Sequence, residues 1–421
     1  MNVMMMTNVY TPFIGGVSRS VETLTSELRN QGHRVIIVTP DFENTQPIEK
    51  DVIRVPAVHH FNGSDFSVQL PFPGILHAAL KDFTPDIIHS HHPFMLGDTA
   101  LRISSEFEIP VVFTHHTFYE KYTHYVNSNS ALLKTFIKTL ATEYANHCNL
   151  VVAPSKSVAR ILKARGVISP VRILPTGIDT VAFSKGDGTS FRKKYAIPVN
   201  STVAGFVSRI AVEKNVLFLS SVLKEIMTAR KDVYFLVVGN GPSLPEVKEY
   251  FTLHGLSDRL ILPGALLSQD LIDAYHAMDL FVFASKTETQ GLVILEALAS
   301  GIPVIAVRGP AIEDIVNNFT NGRIVSEQSV AFTSAFSWFV TLPHNKKKQL
   351  KENALSSARF FSKENYAANI ISEYKLLISN RPQKMKKMSS WQKLKGTALA
   401  ELELLKIFTI ATGTAIRYEH L

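Results

Sequence analysis

Two glutamates, Glu288 and Glu296, flank a segment in which a glycine precedes a predicted helix, and the residue types of this segment suit a ligand site. An apolar run ends just before Glu288, and helix-forming residues begin near Gly291. The backbone N–H groups of Gln290, Gly291 and Leu292 would then lie at a helix N-terminus, which suits phosphate oxygens. Glu296 could accept two hydrogen bonds from a ribose diol, and Glu288 could reach sugar hydroxyls. The alternative is that both glutamates are ordinary acidic residues, at a helix start or on the surface. The segment alone does not decide between these two interpretations.

Two cations follow an earlier predicted strand. Arg209 offers a planar fork to a diphosphate, and Lys214 offers a point charge five residues later. Together they could stabilise a departing nucleoside diphosphate without a metal. A solvated charge pair between Lys214 and Glu213 is the alternative.

Glycines follow the first predicted strand. Gly15 and Gly16 would let the backbone approach a phosphate at the start of the next helix. A tight turn that needs a positive φ is the alternative. The full dinucleotide-binding fingerprint is absent here and at residues 239–242 (GNGP), where the third glycine is missing. Hydride transfer is therefore disfavoured.

Histidines cluster after two strands of the first half. His116 ends the run 113–116 at a predicted strand end, where it could contact a transferred sugar or an acceptor. His89, His91 and His92 follow an earlier strand. Their spacing matches no known zinc-ligand pattern, so no metal site is predicted.

Short apolar runs alternate with helical patterns along most of the chain. Strands are predicted at 3–6, 34–39, 86–90, 111–114, 150–154 and 171–174, and then again at 202–207, 233–238, 259–262, 280–283 and 304–307. The predicted helices include 17–30, 130–147, 156–165, 217–229, 271–278 and 364–378. Continuous apolar strands separated by helices indicate parallel sheets covered on both faces.

The restart of this pattern predicts two doubly wound α/β domains. They span 1–180, to which helix 364–378 returns, and 196–362, with a glycine- and proline-rich joint within 176–199 and a helical tail at 381–421. In such sheets, ligands bind beyond the carboxyl ends of the strands. Two such domains facing each other would form a cleft between their loops.

The combined pattern resembles glycosyltransferase family 4, whose members have the GT-B fold of two Rossmann-like domains. The resemblance covers the chain from Met1 to about residue 378. It rests on Gly15-Gly16, His116, Arg209 with Lys214, the GNGP run at 239–242, and Glu288 with Glu296 in an E-x7-E arrangement. Each motif is weak alone, but their order and their positions at strand ends are specific.

The resemblance implies a role for each residue in a nucleotide-sugar site. Gly15 and Gly16 lie beside the donor diphosphate, which Arg209 and Lys214 hold as it leaves. Gly241 lies near the nucleobase. The remaining implied contacts are Glu288 and His116 to the transferred sugar, Glu296 to the ribose, and the backbone of Gln290, Gly291 and Leu292 to phosphate. Transfer with retention of anomeric configuration is implied, with no cofactor and no metal.

A narrower similarity concerns the acceptor. Residues 113–125 (FTHHTFYEKYTHY) and 285–291 (SKTETQG) are similar to bacterial diacylglycerol glucosyltransferases, which transfer glucose from UDP-glucose to diacylglycerol. Three alternatives stay open: a transferase of the same fold with a soluble or polysaccharide acceptor, a non-catalytic sugar-nucleotide binder, and a nucleic-acid-binding protein. The last is disfavoured, because no basic stripe interleaved with aromatics occurs outside the tail.

The tail combines positive charge with apolar residues. Its basic part contains Lys384, Lys386, Lys387, Lys393, Lys395 and Trp391, and a helical apolar segment follows. This composition predicts contact with an anionic membrane surface. A terminal helix that packs on the protein or pairs subunits is the alternative, and the oligomeric state is not indicated.

The amino-acid composition and net charge limit the class of protein. The charged fraction of 19% is below the usual level of about 25%, which argues against a disordered chain or a coiled coil. The net charge of +8 favours anionic partners. The single cysteine, Cys148, excludes an intrachain disulfide and a cysteine metal cage. Neither a signal peptide nor a long apolar span is evident, so a cytoplasmic location is expected, with attachment to the cytoplasmic face of the membrane left open.

Overall fold

The first half of the chain forms a parallel sheet from short apolar strands. The computed structural model describes residues 1–13, 15–43, 49–58, 68–69, 82–123, 130–381 and 390–419. The seven-stranded sheet in these ranges contains β1 (Asn2–Met6), β2 (Arg34–Pro40), β3 (Val52–Val55), β6 (Ile87–Ser90), β7 (Val111–Thr114), β8 (Leu150–Ala153) and β9 (Val171–Ile173), in the order β3-β2-β1-β6-β7-β8-β9. Strands β4 (Ala57–Val58) and β5 (Val68–Gln69) pair with each other in an antiparallel arrangement.

Both faces of this sheet are buried. Successive side chains of a strand point to opposite faces, so each strand contributes to two apolar clusters. Val3 and Met5 belong to one apolar cluster, whereas Met4 and Met6 belong to another. Among the described residues, the α-helices of this half are α1 (Gly16–Asn30), α2 (Leu96–Phe107), α3 (Ala131–Asn146) and α4 (Lys156–Ala164). Continuous apolar strands are typical of this covered arrangement.

The second half repeats the architecture with six parallel strands. They are β10 (Thr202–Val207), β11 (Val233–Val238), β12 (Leu260–Gly264), β13 (Leu280–Phe283), β14 (Val304–Val307) and β15 (Gly322–Val325), in the order β12-β11-β10-β13-β14-β15. Its helices are α5 (Thr180–Phe183), α6 (Gly188–Lys194), α7 (Val216–Ala229), α8 (Leu244–Leu253), α9 (Ser268–His276), α10 (Leu292–Ala299), α11 (Ser329–Thr341) and α12 (His344–Arg359). The predicted class of two doubly wound α/β domains is confirmed.

The chain forms two compact units, and it passes between them twice, near residues 178 and 363. One unit comprises Met1–Gly177 with Glu364–Leu421, and the other comprises Ile178–Lys363. The Ile178 N–H donates to the carbonyl of Phe361 at 2.9 Å, and Lys363 Nζ lies 2.7 Å from Asp179 Oδ2. Residues 178–199, which the sequence placed largely in a joint, therefore belong to the second unit.

The last two helices both belong to the first unit. Helix α13 (Lys363–Ser379) buries Tyr366, Ile370 and Tyr374 in the cluster of Val3 and Met5. Helix α14 (Ser390–Glu419) packs on α2 and α3.

The helical tail predicted at 381–421 is observed as α14, and its packing favours the alternative of a terminal helix that packs on the protein. Leu404, Ile407 and Ala411 recur at helical spacing, and all three join the apolar cluster that contains Met4. Lys384, Lys386 and Lys387 lie outside the described residues, and the structure does not describe the side chains of Trp391, Lys393 and Lys395. In the described part of the chain, no helix is both long and apolar enough to cross a membrane.

Several predicted boundaries shift slightly. The helix predicted at 271–278 is observed at Ser268–His276, and the strand predicted at 259–262 is observed at Leu260–Gly264. Strand β15 was not predicted, because its first two residues, Gly322 and Arg323, do not form an apolar run.

The packing of α14 predicts different effects of two neighbouring leucine substitutions. Leu404 is 4% exposed and Leu402 is 54% exposed. We expect Leu404→Ala to lower the free energy of unfolding of the first unit by about 3 kcal/mol, because it leaves a cavity. Leu402→Ala should change it by less than about 0.5 kcal/mol. Urea unfolding followed by circular dichroism measures both, and equal effects would contradict the packing of α14.

Candidate functional site

The sheet order of the second unit brings the predicted donor-binding segments to one edge. Strand β10 pairs with β11 on one side and with β13 on the other. Arg209 and Lys214 follow β10, Gly241 follows β11, and the segment from Glu288 to Glu296 follows β13. Because these strands are parallel, their following loops lie together at their carboxyl ends.

Backbone hydrogen bonds tie the loops after β10, β11 and β12 together. Ile210 N–H donates to the carbonyl of Asn240 at 2.9 Å, and Gly239 N–H donates to the carbonyl of Gly264 at 2.9 Å. A Cβ on Gly241 would lie 2.3 Å from the carbonyl oxygen of Ile210. The glycine at 241 is therefore required for this close approach, whatever its contact with a nucleobase.

Lys214 and Glu288 form the central charge pair of this edge. Lys214 Nζ lies 2.6 Å from Glu288 Oε1, and each side chain is only 16% exposed. Burial would raise the pKa of Glu288, but the charge and hydrogen bond of Lys214, with a hydrogen bond from Ser285, hold that pKa below its ordinary value. Glu288 is consequently ionised at neutral pH.

The residues between the two glutamates turn sharply into helix α10. Gly291 has φ +79°, a left-handed conformation that favours glycine, and the helix begins at Leu292. Ile294 N–H donates to the carbonyl of Gly291 at 2.9 Å in the first turn, and the helix dipole gives this end a partial positive charge. Gln290, 5% exposed, is buried just before this turn. The predicted helix N-terminus is observed, and its binding of phosphate stays a prediction.

Glu296 is buried rather than a surface acid. It is 3% exposed, and the hydroxyl of Tyr275 lies 2.8 Å from its Oε2. Tyr275 reaches it from α9, and nothing in the local sequence pattern indicated this partner. A buried carboxylate that Tyr275 holds in position suits hydrogen bonding to a diol, because carboxylate oxygens offer about four acceptor positions.

Gly15 and Gly16 lie at the start of α1, after β1. Gly15 has φ −167°, which is extended backbone, so a tight turn with a positive φ does not explain it. Arg19 N–H donates to the carbonyl of Gly15 at 3.0 Å, in the first turn of α1. The pair therefore lies at a helix N-terminus, as predicted, and its phosphate contact is untested.

His116 is paired with a second histidine. Its Nε2 lies 2.9 Å from Nδ1 of His91, and the two rings are stacked. Burial lowers the pKa of His116 to about 3 and lowers that of His91 well below its ordinary value. Both rings are therefore neutral at working pH. The sequence identified His91 only as part of a cluster and did not predict this pairing.

The surroundings of His91 favour one tautomer. His91 Nε2 lies 3.5 Å from Met5 Sδ, a weak acceptor. We infer that His91 carries its proton on Nε2 and that His116 Nε2–H donates to His91 Nδ1. His116 Nδ1 is then the acceptor nitrogen of its ring. In the described residues, no group of three or more His, Cys, Asp or Glu side chains is arranged to hold a metal ion.

Comparisons with known proteins place these features in a family. The family model described as Glycosyltransferase Family 4 matches residues 14–182, and the one described as Glycosyl transferases group 1 matches residues 187–357. The chain is 30% identical over 394 residues to the alpha-monoglucosyldiacylglycerol synthase of Streptococcus pneumoniae, covering 91% of this chain and 88% of the relative. It is 28% identical to the protein of the same name from Acholeplasma laidlawii, covering 92% and 100% of the two chains.

A solved structure shows the same architecture. Anabaena Alr3699/HepE, in complex with UDP and glucose, has a TM-score of 0.71 to this chain at 18% identity, covering 89% of this chain and 100% of that one. The two parallel sheets and their helices thus form the GT-B fold. The chain belongs to glycosyltransferase family 4 and is a hexosyltransferase.

Proposed function

We propose that this enzyme transfers glucose from UDP-glucose to the hydroxyl of diacylglycerol, with retention of anomeric configuration. The observation that carries the donor assignment is the buried Lys214–Glu288 pair beside the helix start at Gly291. It combines a cation, a carboxylate and the positive end of a helix dipole, which are the groups that a diphosphate-sugar needs.

The diphosphate is assigned to the cationic part of this edge. Arg209 and Lys214 balance the negative charge that grows as the bond between the sugar and the diphosphate breaks. The N–H groups at the start of α10 add a partial positive charge. The chain's own cations thus supply the stabilisation, and we propose that neither a metal nor a cofactor is required.

Retention is proposed to follow from attack on the same face as departure. The acceptor oxygen bonds to the anomeric carbon as the bond from that carbon to the diphosphate oxygen breaks. The acceptor proton passes to the leaving phosphate oxygen, so no covalent enzyme nucleophile is needed. Glu288 is proposed to hold the sugar, and the family resemblance assigns His116 to the same sugar.

The ribose is assigned to Glu296, whose buried carboxylate is held by Tyr275. The family resemblance assigns Gly15 and Gly16 to the diphosphate and Gly241 to the nucleobase. The names of the two curated relatives, both alpha-monoglucosyldiacylglycerol synthases, support a diacylglycerol acceptor. Since such an acceptor resides in a bilayer, we propose that the enzyme works at the cytoplasmic face of the membrane.

The reaction can be tested directly. We expect UDP-glucose and diacylglycerol vesicles to yield UDP and an α-linked glucosyl lipid, identified by proton NMR of the anomeric centre. Glu288→Gln should lower turnover by at least about 100-fold, because it removes charge and hydrogen bonds at the reacting sugar. A β-linked product would contradict retention, and transfer only to soluble sugars would contradict the lipid acceptor. Failure of every sugar nucleotide to bind would overturn the donor assignment.

The two glutamates should affect different ligands. Calorimetric titration of Glu296→Gln should show UDP and UDP-glucose weakened by similar factors, about 10- to 100-fold, because both ligands carry the ribose. Glu288→Gln should instead lower the preference for UDP-glucose over UDP, because only UDP-glucose carries the sugar. Glu249→Gln, an exposed substitution in the same unit, is the matched control. Equal loss of both ligands in Glu288→Gln would refute its sugar contact.

The charge pair should also produce a defined pH dependence of stability. Because the pKa of Glu288 lies below its ordinary value of 4.5 in the folded protein, the stabilisation by its ionised form is complete above that value. It is lost as the pH falls through the lower, folded-state pKa. The difference in unfolding free energy between wild type and Glu288→Gln should stay constant from about pH 7 to 5.5 and shrink below about pH 4.5. A difference that grows on acidification would contradict the pairing.

A further inference from the structure

His89 is held at both ring nitrogens by hydroxyl groups from other elements of the first unit. Its Nδ1 lies 2.5 Å from the hydroxyl oxygen of Tyr374 on α13, and its Nε2 lies 2.6 Å from Oγ1 of Thr114 at the end of β7. All three side chains are fully buried. The ring of His89 is therefore fixed, because a rotation would leave buried polar atoms without a partner.

The direction of these two hydrogen bonds follows from the protonation of the groups. Burial raises the pKa of Tyr374, so its hydroxyl keeps its proton. Burial also lowers the pKa of His89 to about 3, so the ring is neutral and carries one N–H. Tyr374 O–H donates to Nδ1 of His89, because a buried O–H without an acceptor is disfavoured. The ring proton then lies on Nε2, which donates to Thr114 Oγ1.

The fixed ring of His89 supports His91. The centroids of these two rings are 4.3 Å apart and their planes differ by 24°, so the rings stack. The edge of His91 carries the contact to His116, with Nδ1 of His91 2.9 Å from Nε2 of His116 and the two planes 25° apart. A tilt of His91 away from His116 would push against the face of His89.

We propose that Tyr374 and His89 are positioning residues, which hold His91 and through it His116 in one orientation for contact with the transferred sugar. The contact of His116 with the sugar rests on the proposed function, whereas the chain of contacts that ends at His116 does not. Tyr374 follows His89 by 285 residues. Because Tyr374 is fully buried, it acts through His116 rather than by contact with a substrate.

A purely structural role of Tyr374 is the alternative. Its ring belongs to the apolar cluster that contains Val3 and Met5, so it contributes to the core whatever its hydroxyl does. Tyr374→Phe keeps the ring and removes only the hydroxyl that donates to His89. This substitution therefore separates the positioning role from the contribution to the core.

The test is a double-mutant cycle between Tyr374 and His116, read as kcat for transfer from UDP-glucose to diacylglycerol. Tyr374→Phe should lower kcat by about 10- to 100-fold, because His116 loses its fixed orientation. The Kd of UDP should be unchanged, because Tyr374 is not among the residues assigned to UDP. In the His116→Ala background, Tyr374→Phe should cause no further loss of kcat. A similar loss in both backgrounds would overturn the proposal, because a purely structural effect does not depend on His116.

Two further positions sharpen this result. Thr114→Val should lower kcat as Tyr374→Phe does, because it removes the acceptor of His89 Nε2–H, and Thr114→Ser should keep wild-type kcat because it keeps a hydroxyl. Tyr144→Phe is the matched control: Tyr144 is a fully buried tyrosine of the same unit whose hydroxyl donates to the carbonyl of Gly97 at 3.3 Å. Its kcat should equal that of wild type. Equal losses in Thr114→Val and Thr114→Ser would contradict the role of the hydroxyl.

Nitrogen-15 NMR of the histidine rings tests the contacts without any substrate. Because the pKa values of His89 and His116 are lowered to about 3 by burial, neither ring should take up a proton between about pH 8 and 5. Wild type should show both rings protonated on Nε2, with the signals of His116 identified by their loss in His116→Ala. Tyr374→Phe should shift the ring signals of His116, and unchanged signals would overturn the proposal.

The two readouts distinguish this proposal from the proposed reaction. A wild-type enzyme that transfers no glucose to diacylglycerol would overturn the proposed function. The ring signals would still decide whether Tyr374 and His89 orient His116.

Discussion

Strand β10 is hydrogen-bonded to β11 on one side and to β13 on the other, and the candidate site depends on this adjacency. Lys214 and Glu288 are 74 residues apart in the chain, yet their side chains meet at 2.6 Å because β10 and β13 are neighbours. The close backbone approach at Gly241 holds the loop after β11 against the loop after β10. A parallel sheet thus gathers a cation, a carboxylate and a helix N-terminus at one of its edges.

The parts of this arrangement that are local in sequence could be predicted. Strands β10, β11, β13 and β14 were predicted at their observed bounds, because buried parallel strands are continuous apolar runs between helices. The start of α10 was predicted near Gly291 because helix-forming residues follow that glycine, and the structure shows the helix beginning at Leu292. Strand β15 could not be predicted, because it begins with Gly322 and Arg323 and therefore contains no continuous apolar run.

Contacts between distant elements could not be predicted. Tyr275 meets Glu296 from a different helix, and His91 meets His116 from a neighbouring strand end, with no spacing rule to join either pair. Burial also changed the interpretation of individual residues. Glu296 is 3% exposed, which excludes a surface acid, and Leu404 shows that the apolar tail helix is part of the first unit's core. One face of α14 therefore contributes to the core of the first unit.

The central claim is that the Lys214–Glu288 pair holds the donor. A crystal structure of the complex with UDP-glucose tests it most directly. In that complex, we expect Lys214 Nζ within about 3 Å of a phosphate oxygen and a Glu288 oxygen within about 3 Å of a hydroxyl of the glucose. A donor bound elsewhere, with both side chains still paired only to each other, would contradict it.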